Sequence, residues 1–142
     1  AYWELIPQVR DAVRIPVVAN GEIWTVEDAQ RCRAVSGCDA LMLGRGAVAD
    51  PGLARAIRAA DAGRAGSDIV QWADLLPQLA TFWQLVCDGL EPRQRAGRLK
   101  QWLNLLRRRY PEAQQAYDTV RVLTEQTAVG AALVHMADVA RK

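Results

Sequence analysis

The sequence has few of the residues from which disulfide, metal and catalytic-triad sites are built. Its 142 residues include three cysteines and one histidine, without a Cys-x-x-Cys pair. An odd cysteine count without paired spacing argues against a disulfide framework and against a zinc site. No Ser-His-Asp set, paired-carboxylate motif or Walker loop occurs, so no general acid can be assigned. We expect no metal ion, and we expect buried, unreactive thiols at Cys32, Cys38 and Cys87.

Long apolar runs are missing as well. No uninterrupted apolar stretch could span a membrane, and no basic segment followed by an apolar core marks a signal peptide. We therefore expect a cytoplasmic protein without membrane contacts. The chain begins Ala-Tyr-Trp-Glu without an initiator Met, and it is too short for a complete (β/α)8 barrel of about 250 residues. Both features predict that it is part of a larger protein.

Two short apolar runs that end in glycine and polar residues are the main structural signal. They read IPVVANGEIW over residues 15–24 and CDALMLGRGA over residues 38–47. Parallel strands that are buried on both faces have continuous apolar runs of this kind. We therefore predict strands at 16–20 and 40–43.

A helix is predicted between these two strands. Thr25 is the expected N-cap, and Asp28, three residues later, approximates a capping box. The helix should continue to about Val35, and Gly37 should end it. Its apolar face is predicted to consist of Ala29, Cys32 and Val35.

Two further helices give the first part of the chain an alternating order. One is predicted at 3–14, ending before Pro16, and another from near Pro51 to about Ala60. The order helix–strand–helix–strand–helix is that of the last quarter of a (β/α)8 barrel. The glycine-punctuated segment 61–66 is expected to be a linker.

The sequence after the linker has no strand signal. Helices are predicted at 67–88, 91–109, 111–124 and 127–140, and Pro77 should kink or split the first of them. The predicted fold class is therefore α/β plus all-α. The last βα units of a TIM barrel occupy residues 1–62, and a C-terminal helical bundle occupies residues 63–142.

The two glycine-rich strand ends are a candidate phosphate site. Asn20-Gly21-Glu22 follows the first strand, and Gly44-Arg45-Gly46 follows the second. Glycine allows close approach of a ligand to the backbone, amide groups bind anions, and a guanidinium matches a phosphate. The alternative is a pair of ordinary turns that use glycine for geometry alone. Two such motifs on adjacent strands favour phosphate binding.

A second candidate site is the helix predicted at 91–109. Residues 90–109 carry seven basic side chains and one acid, Glu91. The basic side chains flank an apolar stripe and have almost no intrahelical partners of opposite charge. They can be a solvated face, or they can bind a polyanion, for which RNA phosphates are the leading candidate.

Four segments resemble a known family. IPVVANGEIW, SGCDALMLGRGA, GRLKQWLNLLRRRY and VRVL closely resemble the C-terminal part of bacterial tRNA-dihydrouridine synthases, and the C-type subfamily is the best match. The first two segments are common among flavin-dependent barrels, and RLKQW and VRVL are the more specific ones. The similarity covers nearly the whole chain and is loosest over residues 61–92.

The resemblance implies an FMN-dependent barrel followed by a helical domain that binds tRNA. In that family NADPH reduces FMN, the flavin passes a hydride to C6 of a uridine, and a cysteine protonates C5. The C-type enzymes act on uridine 16 of the D-loop. The full-length enzyme is expected to be a monomer. None of the three cysteines of this chain matches the catalytic position, so the resemblance implies that the chain alone is inactive.

Carried onto this sequence, the resemblance assigns residues to two sites. The phosphate side of FMN would be held by Asn20, Gly21, Glu22, Gly44 and Arg45. The positions that orient tRNA would be Arg98, Lys100 and Arg121. The charge pattern adds Arg93 and Arg107 as sources of longer-range attraction.

Two alternatives remain open. The chain can be an RNA-binding helical module with vestigial barrel strands. It can also belong to another phosphate-binding barrel, a small-molecule flavin oxidoreductase or an isomerase, with a helical tail that serves only oligomerisation. The basic helix disfavours the second alternative.

Overall fold

The computed structural model describes residues 1–64 and 69–140, and these are mostly helical with two short strands. The chain divides into two units, Ala1–Ile69 and Val70–Lys142. The sequence placed this division at residue 62.

Helices and two parallel strands alternate in the first unit. Its elements are a 3-10 turn at Trp3–Leu5, α1 (Ile6–Ala12), β1 (Ala19–Asn20), α2 (Val26–Ser36), β2 (Leu41–Met42), α3 (Arg45–Ala49) and α4 (Leu53–Asp61). Strands β1 and β2 pair in parallel with Ala19 opposite Leu41. Each is shorter than predicted. The ladder ends at Gly21, where a φ of +114° turns the chain away from the strand direction.

Helix α2 has the ends that its sequence predicts. The Thr25 side chain accepts a hydrogen bond from the Asp28 amide at 3.0 Å, and the Asp28 carboxylate accepts one from the Thr25 amide at 3.2 Å. Gly37 ends the helix with a φ of +67°. The predicted apolar face was wrong at one position, because Val35 is 40% exposed and Ser36 is buried in its place.

The sheet of the first unit is buried on one face only, which corrects the expectation of strands buried on both. Ala19 lies in the core, and Leu41 packs against it. Side chains on the opposite face of the sheet are exposed to solvent, since Val18 is 52% and Met42 51% exposed. The core itself is formed by Trp3, Ala19, Ile23, Ala29, Cys32, Cys38, Leu53 and Ile57.

The region after β2 contains one helix that the sequence did not predict and one that starts later than expected. The five-residue helix α3 begins at Arg45, inside a motif whose two glycines indicated a loop. Helix α4 begins at Leu53 rather than at Pro51. Here the Asp50 carboxylate accepts a hydrogen bond from the Gly52 amide at 2.9 Å, which forms a turn before the helix.

Four helices make up the described part of the second unit. They are α5 (Trp72–Gly89), α6 (Pro92–Leu106), α7 (Pro111–Val120) and α8 (Gln126–Val139). Helix α5 begins later than predicted, where Gln71 and Asp74 form its capping box, and residues 67–68 lie outside the described part. It runs through Pro77 without splitting. The missing amide of Pro77 removes only one bond near the helix start.

The core of the second unit follows the predicted stripe of α6. Leu99, Leu103 and Leu106 are fully buried, and Trp102 packs edge-on against Phe82 with ring centroids 4.9 Å apart. Cys87 is buried in this core, and Cys32 and Cys38 are buried in the first unit, as predicted for all three thiols. Among the described residues, no helix is long and apolar enough to cross a membrane.

Candidate functional site

The turn after β1 has an unusual backbone. Gly21 has a φ of +114° and Glu22 a φ of +52°, and Glu22 is the only non-glycine residue with a positive φ among those described. Left-handed backbone is uncommon for residues with a Cβ atom and is concentrated at functional sites and tight turns. This turn is thus a candidate site on conformation alone.

The turns after β1 and β2 meet at one cavity of about 220 Å³. Its lining consists of Asn20, Gly21, Glu22, Ile23, Trp24, Gly44, Arg45 and Gly46. All five residues that the sequence suggested for the phosphate site are in this set. The pairing of β1 with β2 brings them together, because the carboxyl ends of parallel strands lie at the same edge.

Direct side-chain contacts join Glu22, Trp24 and Arg45 at this cavity. The Arg45 guanidinium donates to Glu22 Oε1 at 2.6 Å, and the Trp24 indole donates to Glu22 Oε2 at 2.8 Å. Arg45 also lies over the Trp24 ring, 5.5 Å from its centroid. The Trp24 hydrogen bond, with the Arg45 charge, holds the pKa of the Glu22 carboxyl below its usual value. Trp24 was not among the residues predicted from the sequence.

The two glycines around Arg45 have different reasons to be glycine. A Cβ atom on the buried Gly46 would collide with the Ile23 carbonyl oxygen, so glycine allows α3 to pack against the turn after β1. A Cβ atom on Gly44 would meet no atom within 4 Å. Gly46 therefore has a packing role, and Gly44 borders open space in the cavity.

The basic residues of α6 differ in their contacts. Arg98 is exposed and donates to the amide oxygen of Gln101 at 3.2 Å. Within residues 1–64 and 69–140, the side chains of Arg93 and Lys100 make no hydrogen bond or ion pair. Arg95 is different, since it donates to the Leu90 carbonyl at 2.8 Å and to the side chain of Gln126, and it ties α6 to neighbouring segments.

Arg107 and Arg121 lie at opposite ends of one row of polar side chains along α7. Arg107 donates to Gln114 at 3.4 Å, and Gln114 donates to the Asp118 carboxylate at 2.8 Å. That carboxylate lies 3.4 Å from Arg121. Arg107 is also stacked 4.6 Å from the centroid of the Tyr117 ring. Gln114, Tyr117 and Asp118 were missed in the sequence, although the i,i+4 spacing of Gln114 and Asp118 on α7 could have indicated the row.

The single histidine is not among the residues of either set. His135 is exposed and borders an open groove of about 510 Å³ between α5, α7 and α8. The groove also contains Trp72, Glu112 and Met136. Among the described residues, no group of three His, Cys, Asp or Glu side chains is placed to bind a metal ion.

Comparison with known proteins assigns the chain to a family. The model of the dihydrouridine synthase family matches residues 1–121. A protein of Aquipseudomonas alcaligenes is 51% identical over 121 residues, which are 85% of this chain and 38% of that protein. A protein of Pseudomonas syringae pv. tomato is 50% identical over 127 residues, 88% of this chain and 39% of its own length.

A more distant relative from Escherichia coli K12 is 37% identical over 131 residues, 92% of this chain and 40% of its own length. All three relatives are named tRNA-dihydrouridine(16) synthase. The chain spans about two fifths of the length of these relatives. With a family model that covers residues 1–121, the chain belongs to the dihydrouridine synthase family.

Proposed function

We propose that this chain is the C-terminal part of a tRNA-dihydrouridine synthase of the C-type subfamily. The enzyme reduces a D-loop uridine of tRNA, at position 16, to 5,6-dihydrouridine, with FMN as cofactor and NADPH as reductant. The family match and the names of the relatives support the reaction. The structural observation that carries the proposal is the meeting of two glycine-containing turns and Arg45 at one cavity.

The first unit is proposed to be the last βα units of a TIM barrel. Its two strands are parallel and joined through α2, as in that fold. The exposed pleat with Val18 and Met42 supports this assignment, because the same side chains would point into the barrel interior. The cavity also lies where barrels place their ligands, at the carboxyl ends of the strands.

The cavity fits the phosphate group of FMN. Arg45 is bound to Glu22 through Nη2, which leaves other guanidinium donors for a phosphate. Gly44 provides open space beside it, and the Glu22 backbone amide has no partner among the described residues. We assign the Glu22 amide, with Asn20, Gly21, Gly44 and Arg45, to the phosphate. The Glu22 carboxylate is assigned to holding Arg45 in place, because an ionised carboxylate repels a phosphate.

The chemistry that bound FMN supplies is hydride delivery to the uracil ring, and this chain contributes the anchoring of its phosphate. None of the three cysteines is proposed as the proton donor. All are buried, and burial raises the pKa of the Cys32 thiol. We therefore expect that the chain alone does not catalyse the reduction.

The second unit is proposed to bind tRNA through Arg98, Lys100 and Arg121, with Arg93 and Arg107 adding attraction. Arg98 and Arg107 bond to neutral amides, so their charges are not cancelled. Arg121 has a carboxylate neighbour in Asp118, at an exposed position where such a pair is weak. Phosphates can therefore compete for all of these cations.

Two binding measurements with an enzyme that contains this chain test the proposal. Binding of FMN is followed by quenching of flavin fluorescence, and binding of tRNA by filter retention. Arg45→Ala should weaken FMN binding alone, and Arg55→Ala, which removes an exposed charge from α4, is the matched control. Binding of tRNA with no measurable FMN binding would instead favour the RNA-binding module, which the separate core of the second unit also supports.

A further inference from the structure

Trp3 is hydrogen-bonded to the turn after β1 although it does not line the cavity. Its indole N–H donates to the Gly21 carbonyl oxygen at 2.9 Å, across 18 positions of sequence. The ring is 7% exposed and belongs to the core of the first unit. A buried donor at this point fixes the orientation of the peptide group between Gly21 and Glu22.

That orientation determines where the Glu22 amide points. The described chain has no cis peptide bond, and in a trans peptide the carbonyl and the following N–H point in opposite directions. With the Gly21 carbonyl held on the Trp3 side, the Glu22 N–H is directed away from Trp3. This amide has no hydrogen-bond partner among the described residues.

Two later amides of the same turn are already occupied. The Trp24 and Thr25 amides both donate to Asp28 Oδ2, at 3.1 and 3.2 Å. An anion in the cavity therefore finds the Glu22 amide available and these two taken. Asp28 also binds Arg31 at 3.2 Å, and Arg31 lies over the Trp3 ring, 5.1 Å from its centroid. Trp3 is thereby held against α2, the helix that the same carboxylate caps.

We propose that Trp3 is a positioning residue for the phosphate site, because its hydrogen bond to Gly21 turns the Glu22 amide towards the cavity. The backbone makes such a restraint necessary. Gly21 and Glu22 both have positive φ, and glycine in particular reaches many other conformations. Trp3 acts through Gly21 and touches no ligand. The inference rests on the proposed phosphate site.

The test uses a ¹⁵N-labelled enzyme that contains this chain, titrated with inorganic phosphate and, separately, with FMN. Trp3→Phe keeps most of the ring packing and removes the N–H donor. Trp83→Phe, in the second unit, is the matched control. Loss of one hydrogen bond should raise the dissociation constants for phosphate and FMN roughly 2- to 10-fold. The control should leave both unchanged.

The Glu22 amide resonance distinguishes positioning from general loosening. In the wild type it should move downfield on phosphate addition, and in Trp3→Phe this movement should be lost. The amide resonances of Ala29 and Cys32, in the same core, should have the same positions in wild type and Trp3→Phe, which would report an intact fold. Equal affinities and equal Glu22 shifts in wild type and Trp3→Phe would overturn the inference.

A measurement on the wild type covers the case in which Trp3→Phe does not fold. The Trp3 indole N–H should exchange with solvent much more slowly than the half-buried Trp24 indole. Exchange at an equal rate would overturn the inference without any variant. If the wild type binds neither phosphate nor FMN, the proposed phosphate site itself is wrong, and this outcome is distinct from a failure of the Trp3 role.

Discussion

The Glu22 carboxylate and the Arg45 guanidinium are 2.6 Å apart, although 23 positions of sequence separate the two residues. Each lies at the carboxyl end of a strand, and the pairing of those strands brings them into contact. The Trp24 indole completes the arrangement by binding the second oxygen of the same carboxylate. The orientation of Arg45 therefore depends on two residues of the opposite turn.

Arg45→Ala should weaken FMN retention in an enzyme that contains this chain. Loss of a charge-assisted phosphate contact costs about 1.5–3 kcal/mol, or roughly 10- to 150-fold in affinity. The measurement is the flavin absorbance that remains after dilution and filtration. Arg55→Ala should retain the wild-type level, and full retention by Arg45→Ala would contradict the assignment.

Trp24→Phe should raise the pKa of the Glu22 carboxyl towards its ordinary value of 4.5, because the indole hydrogen bond is the largest cause of the lowered value. A lowered pKa in the folded chain stabilises that state above pH 4.5, and this contribution disappears as the pH falls through the folded pKa. A ¹³C titration of the Glu22 carboxyl in both proteins gives the two midpoints. Identical midpoints would show that the indole does not act on this group.

Gly46→Ala should destabilise the first unit by about 1–3 kcal/mol, since the new methyl group must displace the Ile23 carbonyl. Gly97→Ala, on the exposed surface of α6, should stabilise its helix by up to about 1 kcal/mol. Urea unfolding of both variants measures the free energies. A Gly46→Ala protein as stable as the wild type would mean that α3 does not pack closely on the turn after β1.

The double variant Arg98→Ala/Lys100→Ala should reduce the salt dependence of tRNA binding. Two fewer neutralised phosphates change the log–log slope by roughly 1.5. Helix content should hardly change, because both residues flank the buried Leu99. The control is Arg55→Ala/Arg58→Ala, which removes equal charge from α4. Equal slopes for wild type and Arg98→Ala/Lys100→Ala would mean that the basic side chains of α6 form only a solvated face.

Residues 1–60 expressed alone should be poorly ordered, swapped between chains or aggregated. Strand edges without partners pair with other chains, and the open pleat with Val18 and Met42 adds exposed apolar surface. Residues 70–142 should keep their helical structure because their core is separate. Hydrogen exchange and light scattering measure both pieces. A monodisperse 1–60 peptide with protected amides over 16–43 would contradict this expectation.

Local sequence signals predicted much of the secondary structure. The Thr25–Asp28 capping box and Gly37 placed the ends of α2, and the leucine spacing of α6 predicted its buried stripe. These signals act within a few residues, so a single stretch of sequence contains them. The turns with Gly21 and Gly44 were recognised for the same reason.

Other features depend on contacts between distant parts of the chain. Helix α3 forms although Gly44 precedes it and Gly46 is its second residue, because Gly46 allows close packing against Ile23. The lengths of β1 and β2 depend on which residues pair and on the turn at Gly21. Neither effect is visible in a local pattern.

The sequence by itself determined the alternation of helices and strands, the core stripe of α6, the excess of basic residues and the two glycine motifs. Tertiary structure alone decided that the Glu22 carboxylate binds Arg45 and that Trp3 binds the Gly21 carbonyl. Helix ends and apolar stripes are set by neighbours within one or two turns of chain. Ion pairs and hydrogen bonds across 18 or 23 positions exist only after the strands pair and the core closes around them.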